Sequence, residues 1–261
     1  VSDDKMTYTF HLRDDAKWSN GDPVTAGDFV YAWRRAADPA TASPYQWFIS
    51  LMSLENGDAV VAGGMAPEEL GVEAIDDTTL EVRLTSPLPY FPQMVVHSTT
   101  FPSPQSVIEE HGSAWTSTEN FVGNGAYVLT EMNPGESIVR EKNDQYWDAE
   151  NVILDKSVAL IINDENVALT RYRAGALDMT DIPAGQFPRL RDEYGEEAHS
   201  FPKLCNYYYT FNLSESGPEA FKDPNVRKAL ALAVDRDIIV NNVMAGGQPP
   251  AYVFTPEATA G

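Results

Sequence analysis

Between Thr7 and Ala37 the apolar residues change their spacing from every second position to every third or fourth, and no other feature constrains the fold so strongly. Thr7 to Leu12 alternates apolar and polar residues, the pattern of a half-buried strand. Asn20-Gly21 and Asp22-Pro23 are turn signals. Thr25 followed by Asp28 fits a capping box at a helix start, and Phe29, Trp33 and Ala36-Ala37 then repeat at helical spacing. A strand, a turn and a helix therefore open the chain.

The same signals recur downstream. Asp38 to Pro44 is a Pro/Thr/Ser break, Tyr45 to Leu54 is aromatic and expected to be helical, and Glu55 to Gly64 stops at a Gly-Gly pair. Asp77 to Leu84 alternates as a strand entered through a turn at Asp76-Asp77. Pro87, Pro89 and Pro92 stiffen a loop around Tyr90 and Phe91. A helix is expected from Gln105 to His111, then a glycine-rich turn at 122–127 and strands over Tyr127–Met132 and Ser137–Lys142. Ser157 to Ile162 is a continuous apolar run of buried-strand type. Asp164 can cap a helix from Glu165 to Ala174, stopped by Gly175, and Ala176 to Thr180 reads as a short strand. Strand, helix and strand in this order predict a βαβ unit and a parallel sheet.

Cys205 to Leu213 reads as a further strand, with Tyr207, Tyr209 and Phe211 on one face and Tyr208, Thr210 and Asn212 on the more polar other. Asp223-Pro224 is a cap followed by a first-turn proline, opening a helix with Val226, Ala229, Leu230 and Ala233 inward. Asp235 starts a second helix that runs to Val243 and stops at Gly246-Gly247. The organisation is mixed α/β, with boundaries expected near residues 104 and 204.

Composition excludes several functions. The formal net charge is −21, a field that repels nucleic acid and anionic membrane surfaces. Its ordinary role is a solvated acidic surface; concentrating cationic ligands is the alternative. No stretch approaches the roughly 20 apolar residues that cross a bilayer. Val1 is not preceded by a basic, apolar, small-residue leader, so the chain reads as mature, trimmed or cut from something larger. Cys205 is the only cysteine. It can form no disulfide within this sequence, and no zinc spacing surrounds it; a lone cysteine is ordinarily a small buried hydrophobe.

Catalytic signatures are missing. There is no GxSxG, P-loop, GxGxxG or HExxH pattern, and Gly123-Asn-Gly125 lacks the third glycine and the lysine of a phosphate loop. His11, His97, His111 and His199 stand singly and read as surface or satisfied structural residues. Chance pairs among 39 acidic residues single out no acid/base couple. Aromatic residues are plentiful, with 5 Trp, 12 Tyr and 11 Phe. Tyr45, Trp47, Tyr90, Tyr208 and Tyr252 are candidates to line a cleft that grips a ligand without transforming it, against the ordinary alternative of core packing.

Residues Tyr8 to Trp33 (YTFHLRDDAKWSNGDPVTAGDFVYAW) resemble the signature of the family 5 extracellular solute-binding proteins, which include the dipeptide, oligopeptide and nickel receptors of ABC importers. Supporting stretches follow in the family's order: DPATASPY from Asp38, AIDDTTLEV from Ala74, GNGAY from Gly123, Tyr146-Trp147, RYRAGALDMT from Arg171 and VRKALALAVDRDII from Val226. Within the family, the wording at Ser43-Pro44-Tyr45, Leu204 to Tyr209 and Asp235 to Asn241 is nearest the oligopeptide receptors.

The resemblance implies a type II periplasmic-binding-protein fold of the three-lobed variety, here incomplete. It places most of the small second lobe at residues 1–104, the central part of the first lobe at 105–204 and the opening of the third at 205–261. It further implies a non-enzymatic, cofactor-free and metal-free monomer, periplasmic or lipid-anchored outside the cell. Such a protein holds an oligopeptide as an extended strand by main-chain hydrogen bonds, with hydrated pockets for its side chains, and closes to dock on an ABC permease. Tyr45 matches a pocket-lining tyrosine of the second lobe, Tyr208 one on the strand entering the third, and Glu165 a cleft-facing acid. Lys203 and Thr210 stand where the family has a tyrosine and a glutamate, so the pocket chemistry differs there. Cys205 matches a cysteine disulfide-bonded in the family to a distant one in the third lobe, beyond Gly261, and the aspartate that pairs with a peptide's amino terminus is expected beyond Gly261 as well. The alternatives are the same fold holding a dipeptide, murein peptide, nickel chelate or oligosaccharide, or a binding protein serving in sensing.

Overall fold

The computed structural model describes residues 1–201, 203–256 and 259. The chain forms two compact units, Val1–Ile161 and Ile162–Gly261.

In the first unit, strand β1 (Thr7–His11) leads through the turn at Gly21 to helix α1 (Ala26–Ala37), followed by α2 (Gln46–Leu51) and α3 (Gly57–Val61). Strands β2 (Val72–Asp76) and β3 (Thr79–Arg83) complete an antiparallel sheet of order β1-β3-β2. The register pairs Tyr8 with Val82 and Phe10 with Leu80, so the alternation read in β1 and β3 turns one face toward the core. Strand β2 was not anticipated: only Val72 of its five residues is buried, which leaves little apolar signal. It pairs through a bulge between Ala74 and Asp76.

Helix α1 covers this sheet with Ala26, Val30, Ala32, Trp33 and Ala37 buried. Its capping box forms as the sequence implies. Asp28 Oδ2 accepts from the backbone of Thr25 (2.8 Å) and from the indole of Trp18 (3.3 Å), tying the preceding turn to the helix start. The continuous core runs from Tyr8 to Phe91, and Phe91 itself is fully buried. Its ring lies 4.9 Å from Tyr8 and 6.5 Å from Trp33. Polar ends are satisfied: the Tyr8 hydroxyl donates to Leu88 O (3.0 Å) and the Trp33 indole to Thr100 O (2.8 Å). Gly71 is required by space: a Cβ there would lie 2.6 Å from Glu55 Cβ and 2.8 Å from Arg83 O.

Helices α4 (Phe91–Met94) and α5 (Gln105–His111) lead to a second antiparallel sheet, β4 (Tyr127–Asn133), β5 (Ser137–Lys142) and β6 (Lys156–Leu160), in that order. Strand β6 lies at its edge. The apolar run expected to be buried there is not: Val158, Leu160 and Ile161 are exposed, because among the described residues nothing covers that side.

The second unit carries α6 (Glu165–Arg173), α7 (Phe187–Tyr194), α8 (Pro224–Ala233) and α9 (Arg236–Ile238), the last continuing as a π-helical turn to Met244. Caps behave as read: Asp164 accepts from Asn166 and Val167, Asp223 from Asn225 and Asp235 from Ile238. Tertiary expectations fail here. Residues 176–180 form no strand, and both sheets of the described residues are antiparallel, so the expected βαβ unit and parallel sheet are absent. Residues 205–213 also join no sheet; an alternating pattern becomes a strand only where a neighbouring backbone supplies the ladder. The face of α8 expected to point inward is not buried, and Leu230 is 44% exposed.

Candidate functional site

The expected site residues fall in both units. In the first, Tyr45 is the N-cap of α2, and its ring lies 5.9 Å from Trp47 and 5.1 Å from His97. His97 stacks on Phe48 at 4.3 Å, and its Nδ1 accepts from the Thr99 amide (3.3 Å), which fixes the ring. Two of the five candidate aromatics, Tyr45 and Trp47, therefore stand together, half exposed. His97, read as isolated, completes their cluster; its distance in sequence from Tyr45 hid it. Tyr90 is exposed at the start of α4.

The backbone beneath this cluster is held firmly. Gln46 donates to Ala37 O (2.8 Å) at the end of α1, and Ile49 and Met52 are fully buried. One face of α2 is thus anchored while Trp47 and Leu51, four residues apart on the same face, are both more than half exposed.

In the second unit Glu165 opens α6 directly after its cap, and Lys203, Cys205, Tyr208 and Thr210 lie on the extended segment, all exposed. Exposure corrects the ordinary reading of Cys205 as a buried hydrophobe; it is a free thiol. The alternation of sides expected here does appear: Tyr207 and Tyr209 meet edge to face at 5.8 Å, whereas Tyr208 packs on Phe254 at 5.1 Å. Tyr252 donates to Asp237 (3.0 Å) beneath the guanidinium of Arg236. That carboxylate partner raises the phenol above its ordinary pKa, because ionisation would place two negative charges together.

Two hollows in the first unit were not foreseen. One of about 230 Å³ is lined by Trp18, Asp22, Thr25, Asp28 and Val122. The other, about 740 Å³ and open, lies along α1 between Tyr31, Arg34, Arg35, Glu73 and Glu109. Neither contains an expected site residue. Among the described residues no group of three or more His, Cys, Asp or Glu is placed to hold a metal ion, and no helix is long and apolar enough to cross a membrane. The arrangement offers aromatic surface and scattered single polar groups, which suit holding a ligand.

Comparison with known proteins gives a consistent picture. The profile of the bacterial extracellular solute-binding proteins, family 5, middle region, matches residues 1–261. The periplasmic oligopeptide-binding protein OppA of Salmonella typhimurium is 46% identical over 99% of this chain, which covers 47% of that protein. The periplasmic murein peptide-binding protein MppA of Escherichia coli is 41% identical over the whole chain and 48% of its own length. Among solved structures, Haemophilus influenzae OppA in complex with the peptide RPPGFSPFR superposes with a TM-score of 0.89 at 45% identity, over 98% of this chain and 50% of that one. The Escherichia coli murein tripeptide-binding protein MppA gives 0.92 at 40% identity, over 100% and 50%. The chain thus spans about half the length of the relatives it matches, and those relatives are named as periplasmic binding proteins, not as enzymes.

Proposed function

This chain belongs to family 5 of the bacterial extracellular solute-binding proteins, and from that premise we propose that the protein carrying it captures oligopeptides for an ABC importer. The observation that carries the reading is the unbroken match, at 46% identity over 99% of the chain, to an oligopeptide-binding relative. A peptide-bound structure among the neighbours supports it. Recognition through main-chain hydrogen bonds explains tolerance of many sequences, since those groups are common to all peptides. Closure around the ligand then gives a permease in the membrane a distinct shape to read. The protein acts without catalysis, as a monomer, in the periplasm or tethered outside the cell.

In this reading residues 1–104 supply most of the second lobe, 105–204 the middle of the first and 205–261 the start of the third; residues 202, 257, 258, 260 and 261 lie outside the described ones. Tyr45, Glu165 and Tyr208 face the ligand. Lys203 and Thr210 change the pocket relative to other members. Cys205, exposed as a thiol here, pairs with a cysteine C-terminal to this chain. In the whole protein the Cys205 peptide is alkylated only after reduction; alkylation without reductant removes the disulfide.

Isothermal titration of the whole protein with tri- to pentapeptides tests the function. Saturable heat with several unrelated sequences is expected, and no heat with any peptide overturns it. The murein reading draws on the superposition on MppA, and binding of murein tripeptide in preference to ordinary tripeptides would select it.

A further inference from the structure

The wider hollow of the first unit, about 740 Å³, holds opposite charges that do not meet. Its floor is one face of α1, where Tyr31, Arg34, Arg35 and Asp38 recur at helical spacing, while Ala26, Trp33 and Ala37 turn to the core. Glu73 of β2 and Glu109 of α5 stand in its walls. Two of these acids are occupied: Glu73 accepts from Arg83 (3.2 Å) and Asp38 from the Ala40 amide (2.8 Å). Glu109 accepts from the neutral side chain of Gln105 (2.7 Å) and meets no cation. Among the described residues no ion pair includes Arg34, Arg35 or Glu109. Arg34 is fixed by donating to Glu68 O (3.0 Å), and its buried Nε has no partner, a costly state for a buried donor. Acids outnumber bases 39 to 18 in this chain, so two arginines left without a carboxylate in a hollow that contains several need a reason. The Tyr31 phenol lies above its ordinary pKa, first through burial; Arg35 pulls it down and Glu109 pushes it up. Both charges therefore act at this one ring.

We propose that this hollow binds a small zwitterion, a free α-amino acid whose carboxylate is held by Arg35 and Arg34 and whose ammonium is held by Glu109, with its side chain on Tyr31. The site is separate from Tyr45, Glu165 and Tyr208, none of which lines it, and it does not depend on the oligopeptide reading. The field of the whole chain decides among ligands. A net charge of −21 repels a simple anion, which the arginines alone would attract. A simple cation, drawn in by that field, meets two guanidinium groups. A zwitterion enters with no net work against the field and brings each of its charges to the opposite one. The planar guanidinium fork matches a carboxylate, and the volume lies in the range of small-molecule sites.

The test titrates free leucine into the whole protein carrying isotope-labelled arginine, with the Nε–H resonances of Arg34 and Arg35 as the readout. N-acetyl-leucine, which lacks the ammonium, and leucinamide, which lacks the carboxylate, are the controls. Leucine is expected to shift both resonances saturably with a Kd of about 1 mM. Each control should bind about tenfold more weakly, one charge-assisted contact being lost. Arg35→Gln should reduce leucine to the level of leucinamide, read at Arg34, and Glu109→Gln should reduce it to the level of N-acetyl-leucine. Arg35→Lys should keep part of the affinity. Calorimetric titration of the same variants with a tripeptide should match the wild type. N-acetyl-leucine binding as tightly as leucine makes this a plain anion site and overturns the proposal. Equal binding of leucinamide, the absence of a saturable shift at either arginine, or leucine affinity unchanged in both Arg35→Gln and Glu109→Gln overturns it as well. A tripeptide heat that falls with either variant means one site, not two, and has the same result. No tripeptide heat from the wild type overturns the oligopeptide reading alone, because the leucine titration is read at this hollow.

Discussion

The region from Tyr8 to Phe91 and the unit from Ile162 onward draw on the same local devices and reach different results. Both have capped helices, first-turn residues suited to their positions and glycine stops. In the first region these elements close on a continuous core of Trp33, Phe91, Ile49, Met52 and their neighbours, all fully buried or nearly so. In the second, Ala168, Leu169, Leu190 and Ala198 are the buried hydrophobic residues described, and α8 buries none. Local signals specify an element, but an element contributes stability only when its apolar face meets another. The first region contains both faces of its interface; the second shows one.

The sharpest way to break this contrast is a pair of truncations. Trp33→Ala should cost about 4 kcal/mol in urea unfolding, with Leu230→Ala in this chain costing less than about 0.5 kcal/mol. Similar costs at the two sites would mean that α8 has a hidden partner. Next, Gly71→Ala should destabilise the first unit by about 1–3 kcal/mol, since the new methyl meets backbone and the Glu55 side chain; a neutral result would show that the β2–β3 edge gives way. A smaller effect is expected at the caps. Thr25→Ala should cost about 1 kcal/mol of global stability, whereas Asp223→Ala should speed amide exchange only locally within α8. Global loss from both would erase the distinction.

The smallest effect is that of acid on the hydrogen-bonded surface carboxylates of the first unit. Asp76 is held below the ordinary carboxylate value, first by the Thr78 amide, and Asp4, Asp15 and Glu119 are lowered too, first by the Ser2 side chain, the Arg13 guanidinium and the Glu119 amide respectively. All four belong to the first unit. A lowered folded-state pKa stabilises above the unfolded value of about 4 and is lost as pH falls through the folded one. Asp76→Asn should therefore lower the neutral plateau of a pH–stability profile slightly and flatten its acid limb, the two curves converging at low pH.

The sequence made legible what is decided within a few residues. The Thr25–Asp28 box, the helix at Gln105–His111, the caps at Asp164 and Asp223 and the strand over Thr79–Arg83 stand where their spacing implies. Features that depend on a distant partner were less legible. Strand β2 exists because β3 accepts it, and residues 205–213, whose alternation is as clear, join no sheet. At the candidate site, Tyr45 and Trp47 were visible as candidate cleft aromatics in a segment expected to be helical, but their junction with His97 depends on how the segment after Pro92 folds back.

The outer edge of β6 carries one more consequence, for handling the material. An edge strand with Val158 and Leu160 exposed and its outer side unpaired among the described residues is a template for any similar strand in solution. Mutual repulsion between molecules of net charge −21 keeps such edges apart in dilute buffer. Salt shortens the reach of that repulsion to about 8 Å at physiological ionic strength. Colloidal behaviour of this chain is therefore governed by ionic strength, with turbidity rising as salt is added.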